Sequence, residues 1–154
     1  MNEQQIHDIR FELAYSYQLE KMTEVFNRRI DKLLCLIQFF LGSAVVTEHG
    51  SGLLLGILIA IISALLFTLK PGEITGSAKQ QAQKYRILLD DLDTSDIEII
   101  KQKKYVIEQT DSPHPYSLCG PAYHRAAVML GLPANSKLTL MEKLFSFFCG
   151  GIPR

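Results

Sequence analysis

The side chains that most often carry chemistry are few in this chain and stand far apart. The three cysteines are Cys35, Cys119 and Cys149, and no pair of them has the C-x-x-C spacing typical of zinc or redox sites. Cys119 and His124 are close in sequence, but two ligands do not make a metal site. An odd number of widely spaced cysteines also does not fit a disulfide framework. We therefore expect structural cysteines, with neither a metal nor a cofactor.

The charged residues give no catalytic pattern either. Asp90 and Asp91 belong to a charged pattern typical of a solvated helix face. The basic cluster Lys101, Lys103 and Lys104 could bind a phosphate or an anionic lipid, but a solvated face is the favoured interpretation. No P-loop, G-x-S-x-G or H-E-x-x-H motif is present. Sixteen basic residues balance sixteen acidic ones, so the charge does not indicate a nucleic-acid partner, and we do not expect an enzyme.

The element that dominates the sequence is a pair of apolar segments between residues 33 and 69. Leu33–Thr47 and Leu53–Leu69 contain no charged residue and would form helices of roughly 23 and 26 Å. A hydrocarbon core of about 30 Å can still be spanned by such helices if flanking side chains extend to the headgroups. The alternative is a pair of core helices in a soluble protein, but the remaining helices carry too little apolar surface to cover them. We expect a transmembrane hairpin, not a cleaved signal peptide.

Basic residues predict how the hairpin is oriented. The connection Glu48–Gly52 contains no Lys or Arg, whereas both outer flanks do. These flanking basic residues are Arg28, Arg29, Lys32, Lys70, Lys79, Lys84 and Arg86. The positive-inside rule places such flanks in the cytoplasm. We therefore expect both termini to be cytoplasmic and the connection to lie outside.

Two sets of residues inside the hairpin are candidates for helix packing. Small residues recur at every fourth position of the second segment, at Gly52, Gly56, Ala60 and Ala64. Such a stripe permits close approach of membrane helices. Packing within one hairpin is the preferred interpretation, and an oligomer interface is the alternative. The polar set is Gln38, Ser43 and Ser63, which predicts interhelical contacts or a pore lining because an isolated Gln in hydrocarbon is costly.

The segments outside the hairpin have helical periodicity. Residues 1–32 predict an amphipathic helix that continues into the first membrane helix, because apolar residues recur in steps of three and four. Residues 70–154 predict further helices that pack on it as a bundle. Ser95 with Glu98, and Thr139 with Glu142, fit capping boxes, and 122–130 fits a short helix. The C-terminal helix is apolar enough either to lie on the membrane surface or to pack on the bundle, and both alternatives stay open.

This arrangement resembles the SLATT family of two-transmembrane effector domains found with bacterial nucleotide-signalling and conflict systems. The similarity covers roughly residues 11–130 and includes the Ala-rich helix Ser77-Ala78-Lys79-Gln80-Gln81-Ala82, followed by Tyr85 and Leu89. A Pro-containing loop before a small-residue helix, residues 121–127, is also similar. The resemblance implies an effector of the bacterial inner membrane that oligomerises and forms a pore when a partner or a nucleotide signal releases it.

Three function classes follow. The favoured class is a pore-forming effector in bacterial or phage conflict, with the lipid bilayer, further copies of the chain and a separate sensor or nucleotide-signalling protein as partners. The second is a membrane-anchored helical adaptor without a pore, such as a superinfection-exclusion or lysis-regulating protein. A membrane enzyme is the third and has the least support, because no pattern of catalytic residues is present.

Overall fold

The computed structural model describes residues 3–47, 52–133 and 138–151, and these residues form helices and no strands. The helices are α1 (Glu3–Thr47), α2 (Gly52–Leu69), α3 (Pro71–Asp91), α4 (Ile97–Glu108), α5 (Cys119–Met129) and α6 (Leu140–Phe148), with a 3₁₀ turn at Tyr116–Leu118. The all-helical class is confirmed. The connection between the apolar segments, residues 48–51, lies outside the described residues, as does the C-terminus beyond 151.

Helix α1 is the longest element and the centre of the fold. It has 45 residues without an interruption, which is about 67 Å of helix. Neither Pro nor Gly occurs in it before Gly42, so nothing in the sequence breaks the helix. Its buried residues lie between Ile9 and Asn27, and from Leu33 onward its described side chains are half-buried or exposed. The first part of α1 is therefore covered by other helices, and its last part is largely open.

The bundle is formed where the other helices pack on the first part of α1. One cluster joins α1, α3 and α4, and its buried members are Ile9, Leu13, Tyr85, Leu88, Leu92 and Ile100. A second cluster joins α1 to the 3₁₀ turn, α5 and the residue after α6, through Leu19, Met22, Leu118, Ala122 and Cys149. The stripes of α3 and α4 thus pack on the N-terminal helix, as the sequence predicts.

A single residue separates α2 from α3. Lys70 has φ 44° and ψ 49°, the left-handed conformation, and Pro71 begins α3. Pro suits the first helical position because it has no N–H to donate, and it disfavours the α conformation in the residue before it. The chain therefore bends at Lys70 where the apolar segment ends and the bundle begins.

Two details of the predicted helix starts are wrong. The cap of α4 is Asp96, whose carboxylate accepts the Glu98 N–H at 3.2 Å, and not Ser95. Helix α5 begins at Cys119 and not at Ala122, because the 3₁₀ turn leads directly into it and Pro121 fits inside its first turn. The capping box of Thr139 and Glu142 is confirmed, with both reciprocal hydrogen bonds present.

One helical run among the described residues is long and apolar enough to cross a membrane. It covers Gly52–Asp91, counted through the bend at Lys70, and only 6% of its apolar window is buried. A core helix of a soluble protein would be mostly buried, so this exposure is what distinguishes α2. That both apolar segments cross a bilayer, and that both termini are cytoplasmic, stays a prediction.

Candidate functional site

The apolar segments lie side by side as an antiparallel pair. Near the bundle, Asp31 of α1 faces Gly72, where a Cβ would lie 3.8 Å from the carboxylate. Further along, Gln38 contacts Ser63. Gly72 lies in the first turn of α3, just beyond the end of α2, so the chain from Ser63 to Gly72 runs toward the bundle while α1 runs away from it. We call residues 33–47 of α1 together with α2 the apolar pair.

A polar bond joins the two helices of the apolar pair. The Gln38 side-chain amide donates to the Ser63 hydroxyl at 2.6 Å, and that hydroxyl in turn donates to the Ile59 carbonyl at 2.8 Å. Ser43 donates to the Phe39 carbonyl at 3.0 Å within its own helix. The structure therefore brings Gln38 and Ser63 together and leaves Ser43 separate. Gln38 and Ser63 act as an interhelical contact in the single chain.

The small-residue stripe is not the interface between α1 and α2. The half-buried and buried positions of α2 are Gly52, Leu55, Ile59, Ile62 and Leu66. Gly56, Ala60 and Ala64 are exposed, and a Cβ placed on Gly52 or Gly56 would meet nothing within 4 Å. Apart from Gly52, large side chains thus form the covered side of α2, and the preferred interpretation of packing within one hairpin does not fit Gly56, Ala60 and Ala64. Packing against another chain stays a prediction.

The bundle contains a buried carboxylate that the sequence analysis missed. Glu20 on α1 is 2% exposed, and one of its oxygens accepts the Ser112 N–H at 2.8 Å. Its other oxygen is buried and has no hydrogen-bond partner among the described residues. Burial raises the pKa of Glu20 to about 7, against the lowering effect of the Ser112 hydrogen bonds, and the nearby Asp111 charge raises it further.

The loop after α4 is held over Glu20 by polar residues of α3. The Gln81 amide donates to the Ile107 carbonyl at 2.9 Å and approaches the Asp111 carboxylate at 3.2 Å. The Tyr85 hydroxyl donates to the same carboxylate at 2.8 Å. Burial raises the pKa of Asp111, although the hydrogen bond from Tyr85 lowers it. We call Glu20, Gln81, Tyr85, Asp111 and Ser112 the buried polar cluster; the first three and Ser112 are buried, and Asp111 forms its exposed edge.

The cluster holds the loop after α4 in place. Its polar atoms bond mainly to one another and to backbone, which is how buried polar groups stabilise a fold. In the described ranges there is no group of three or more His, Cys, Asp or Glu residues that could hold a metal. Cys149 is buried, and that burial raises its pKa to about 11, so its thiol stays protonated at neutral pH.

Glu20 escaped the sequence analysis because it lies beside the apolar stripe of α1, where a polar residue usually faces solvent. The one feature that could have indicated its burial is its place on α1. Because other helices cover α1 on more than one side, residues beside the apolar stripe are also covered. Comparisons with known protein families, with curated proteins and with solved structures found no match. The resemblance to the SLATT family therefore stays a prediction.

Proposed function

We propose that the chain is a membrane effector whose apolar pair crosses the bilayer and whose exposed small-residue face binds further copies of the chain. The assembled pairs permeabilise the inner membrane, and the bundle stays on the cytoplasmic side. The observation that carries the proposal is the position of Gly56, Ala60 and Ala64, which are exposed on an apolar helix in the part of the chain that the structure describes.

The apolar pair exposes much of its apolar surface. Large apolar side chains on both helices are exposed, among them Phe39 at 69%, Leu53 at 80% and Phe67 at 80%. Exposed apolar surface of this extent is unfavourable in water, whereas in hydrocarbon it is the expected surface. The basic residues Arg28, Arg29 and Lys32 are exposed just before the pair, at the depth where headgroups would lie.

Self-association of helices in lipid needs a surface that lets two helices approach closely. Apolar burial drives little association between helices in lipid, so close backbone approach and interhelical hydrogen bonds replace it. Gly56 offers such an approach on a face that no other part of the described chain covers. Permeabilisation is the function that the SLATT resemblance implies, and it requires no catalytic residue.

The test is membrane potential, measured with a voltage-sensitive dye in bacteria that express the chain alone or with its genomic neighbours. We expect depolarisation by the wild-type chain and its loss in Gly56→Leu. Because a Cβ at Gly56 would meet nothing within 4 Å and the position is exposed, we expect the variant to fold as a single chain and to fail only in assembly. Leu58→Phe is the control, since it adds bulk at a 44% exposed position on another flank of α2. Equal depolarisation by both variants would contradict the proposal.

A second candidate function, a membrane-anchored adaptor, is favoured by one feature of the bundle. A groove of about 410 Å³ lies between α3 and α4 and is lined by Ile87, Leu88, Val106 and Ile107, with Lys84 and Lys103 among the polar residues beside it. Such a groove suits an apolar segment of a partner protein. A steady membrane potential under all conditions, with the chain retained in the membrane, would favour this function.

A further inference from the structure

We infer that α6 lies in the headgroup region of the bilayer, with its outer apolar face against lipid and its inner face fixed to α1. This inference rests on the proposed function, because it requires that the apolar pair crosses the membrane. It adds a second membrane contact, made by the bundle itself and not by the spanning helices.

The structure fixes α6 to the bundle on one side. The ring of Phe145 stacks on that of Phe26, with centroids 5.0 Å apart. Arg29 donates to the Phe148 carbonyl at 2.7 Å, and Arg125 donates to the Cys149 carbonyl at 3.1 Å, so both guanidinium groups bind the C-terminal end of α6. The helix is therefore a docked element with a defined outer face.

The outer face of α6 is apolar. Leu140, Met141, Leu144 and Phe147 are exposed at 85, 57, 55 and 74%, and they share one side of the helix because they lie at positions i, i+1, i+4 and i+7. Four large apolar side chains on nine residues are a costly surface in water. Something apolar must cover this face, and the described chain does not.

The position of α6 points to lipid as the cover. A purely apolar groove of about 200 Å³ between α6 and α1 is lined by Leu144, Phe145 and Phe148 together with Phe26, Ile30 and Leu33. Leu33 is the first residue of the apolar pair, so the apolar surface of α6 continues into that of the pair without a break. The outer apolar face of α6 therefore lies at the level where the apolar pair would enter the bilayer.

The charges around α6 fit an anionic membrane surface. Lys143 on α6 is exposed, as are Arg28 and Lys32 on the adjacent part of α1. Basic side chains beside an apolar helix face are the pattern of interfacial helices, which insert about 5–10 Å into the headgroup region. Anionic lipids attract such residues, whereas a protein partner would need a matching acidic surface.

The test uses tryptophan as a depth reporter, because the chain contains no Trp. Three full-length variants, Phe147→Trp, Phe39→Trp and Tyr105→Trp, are reconstituted into phosphatidylcholine and phosphatidylglycerol vesicles with brominated acyl chains. All three positions are at least two-thirds exposed, at 74, 69 and 67%, so the fold does not depend on them. Bromine quenches only tryptophans that reach its depth.

We expect Phe147→Trp to lose most of its emission with bromine near the headgroup end of the acyl chain, and less with bromine near the terminal methyl. Phe39→Trp should show the opposite order, and Tyr105→Trp on α4 should not be quenched. If Phe39→Trp is quenched and Phe147→Trp is not, the inference about α6 is wrong and the proposed function stands. A blue-shifted but unquenched Phe147→Trp would mean that protein covers the face, and it would also overturn the inference. If neither is quenched, the proposed function fails as well.

Discussion

The two parts of α1 differ in how much of their surface is covered. In the bundle, Leu13 is fully buried, and even the charged Glu20 is only 2% exposed. In the apolar pair, Phe39 and Phe40 of the same helix are 69 and 63% exposed. One uninterrupted helix thus hides polar groups at one end and displays large apolar groups at the other. The first part of α1 is therefore largely covered by other helices, and the second part is largely open.

Electrostatics separates the two regions in the same way. The bundle contains a buried carboxylate in ion pairs: Glu24, which is 2% exposed, contacts Lys21 at 2.8 Å and Arg28 at 3.0 Å. The described part of the apolar pair contains no charged residue between Lys32 and Lys70, and its polar bond between Gln38 and Ser63 joins two neutral groups. Neutral hydrogen bonds are the polar interactions that a lipid environment tolerates best.

The largest expected difference in stability is between a Leu-to-Ala substitution in the bundle and the same substitution in the apolar pair. Leu13→Ala should lower the free energy of unfolding of the bundle by about 2–5 kcal/mol, because it leaves a cavity at a fully buried site. Leu54→Ala, at a site 71% exposed on α2, should change it by less than about 0.5 kcal/mol. Denaturant titration in detergent micelles, followed by circular dichroism, measures both. Equal losses would mean that the apolar pair belongs to the same water-excluded core.

The second effect is a pH dependence that only the bundle should show. The pKa of Glu20 is raised to about 7 in the folded chain from an ordinary value of 4.5. Between these values the folded chain binds the proton and the unfolded chain does not, so stability falls as the pH rises through this window. Across the whole window, the free energy of unfolding falls by about 3 kcal/mol because of Glu20. Its sign is opposite to that of most carboxylates in ion pairs.

The variant Glu20→Gln isolates this effect, since its side chain cannot ionise. We expect the unfolding free energy of Glu20→Gln to depend less on pH between 5 and 8, with a residual slope of the same sign from Asp111, whose pKa is also raised. At pH 8 the variant should be more stable than the wild-type chain. An unchanged slope would show that Glu20 does not titrate in this window.

A third prediction tests the start of α4 with two adjacent residues. Asp96→Ala should lower bundle stability by about 1 kcal/mol, because it removes the acceptor of the Glu98 N–H. Ser95→Ala should be nearly neutral, since Ser95 precedes the cap. Denaturation of both variants under the same conditions gives the comparison. A larger loss of stability in Ser95→Ala than in Asp96→Ala would show that Ser95 caps α4, as the sequence predicted.

The smallest effect concerns the polar bond of the apolar pair. Gln38→Leu removes the donor to Ser63 and should weaken the contact between the two helices by about 0.6 kcal/mol, the mean for hydrogen bonds between membrane helices. Double-mutant cycles with Ser63→Ala in micelles measure the coupling. Zero coupling would indicate that the two side chains do not meet in a lipid-like environment.

The sequence predicted the elements that depend on local patterns. The unbroken course of α1 follows from the lack of Pro throughout it and of Gly before Gly42, and the start of α6 follows from Thr139 and Glu142. The buried polar cluster could not be predicted, because the burial of Glu20 depends on Ser112 and a loop remote in sequence. Ser95 and Asp96 are equally good caps by residue type, and only the backbone conformation separates them.

The small-residue stripe shows a further limit of sequence patterns. Spacing in fours indicates that Gly56, Ala60 and Ala64 favour close helix packing, but it does not identify the neighbouring helix. The large residues Leu55, Ile59 and Ile62 fill the interface with α1 instead. No described residue lies within 4 Å of a Cβ placed on Gly56, so packing of this face against another copy of the chain stays a prediction.

The most direct test of self-association through this face is cysteine cross-linking in isolated membranes. Ala60→Cys, Ala64→Cys and Ile59→Cys are each made in a Cys35→Ala background, because Cys35 is the exposed native cysteine. Mild oxidation should give disulfide-linked dimers for Ala60→Cys and Ala64→Cys, and only monomer for Ile59→Cys, whose position faces α1. Monomer at all three positions, equal dimer at all three, or recovery of the protein in the soluble fraction would contradict the account.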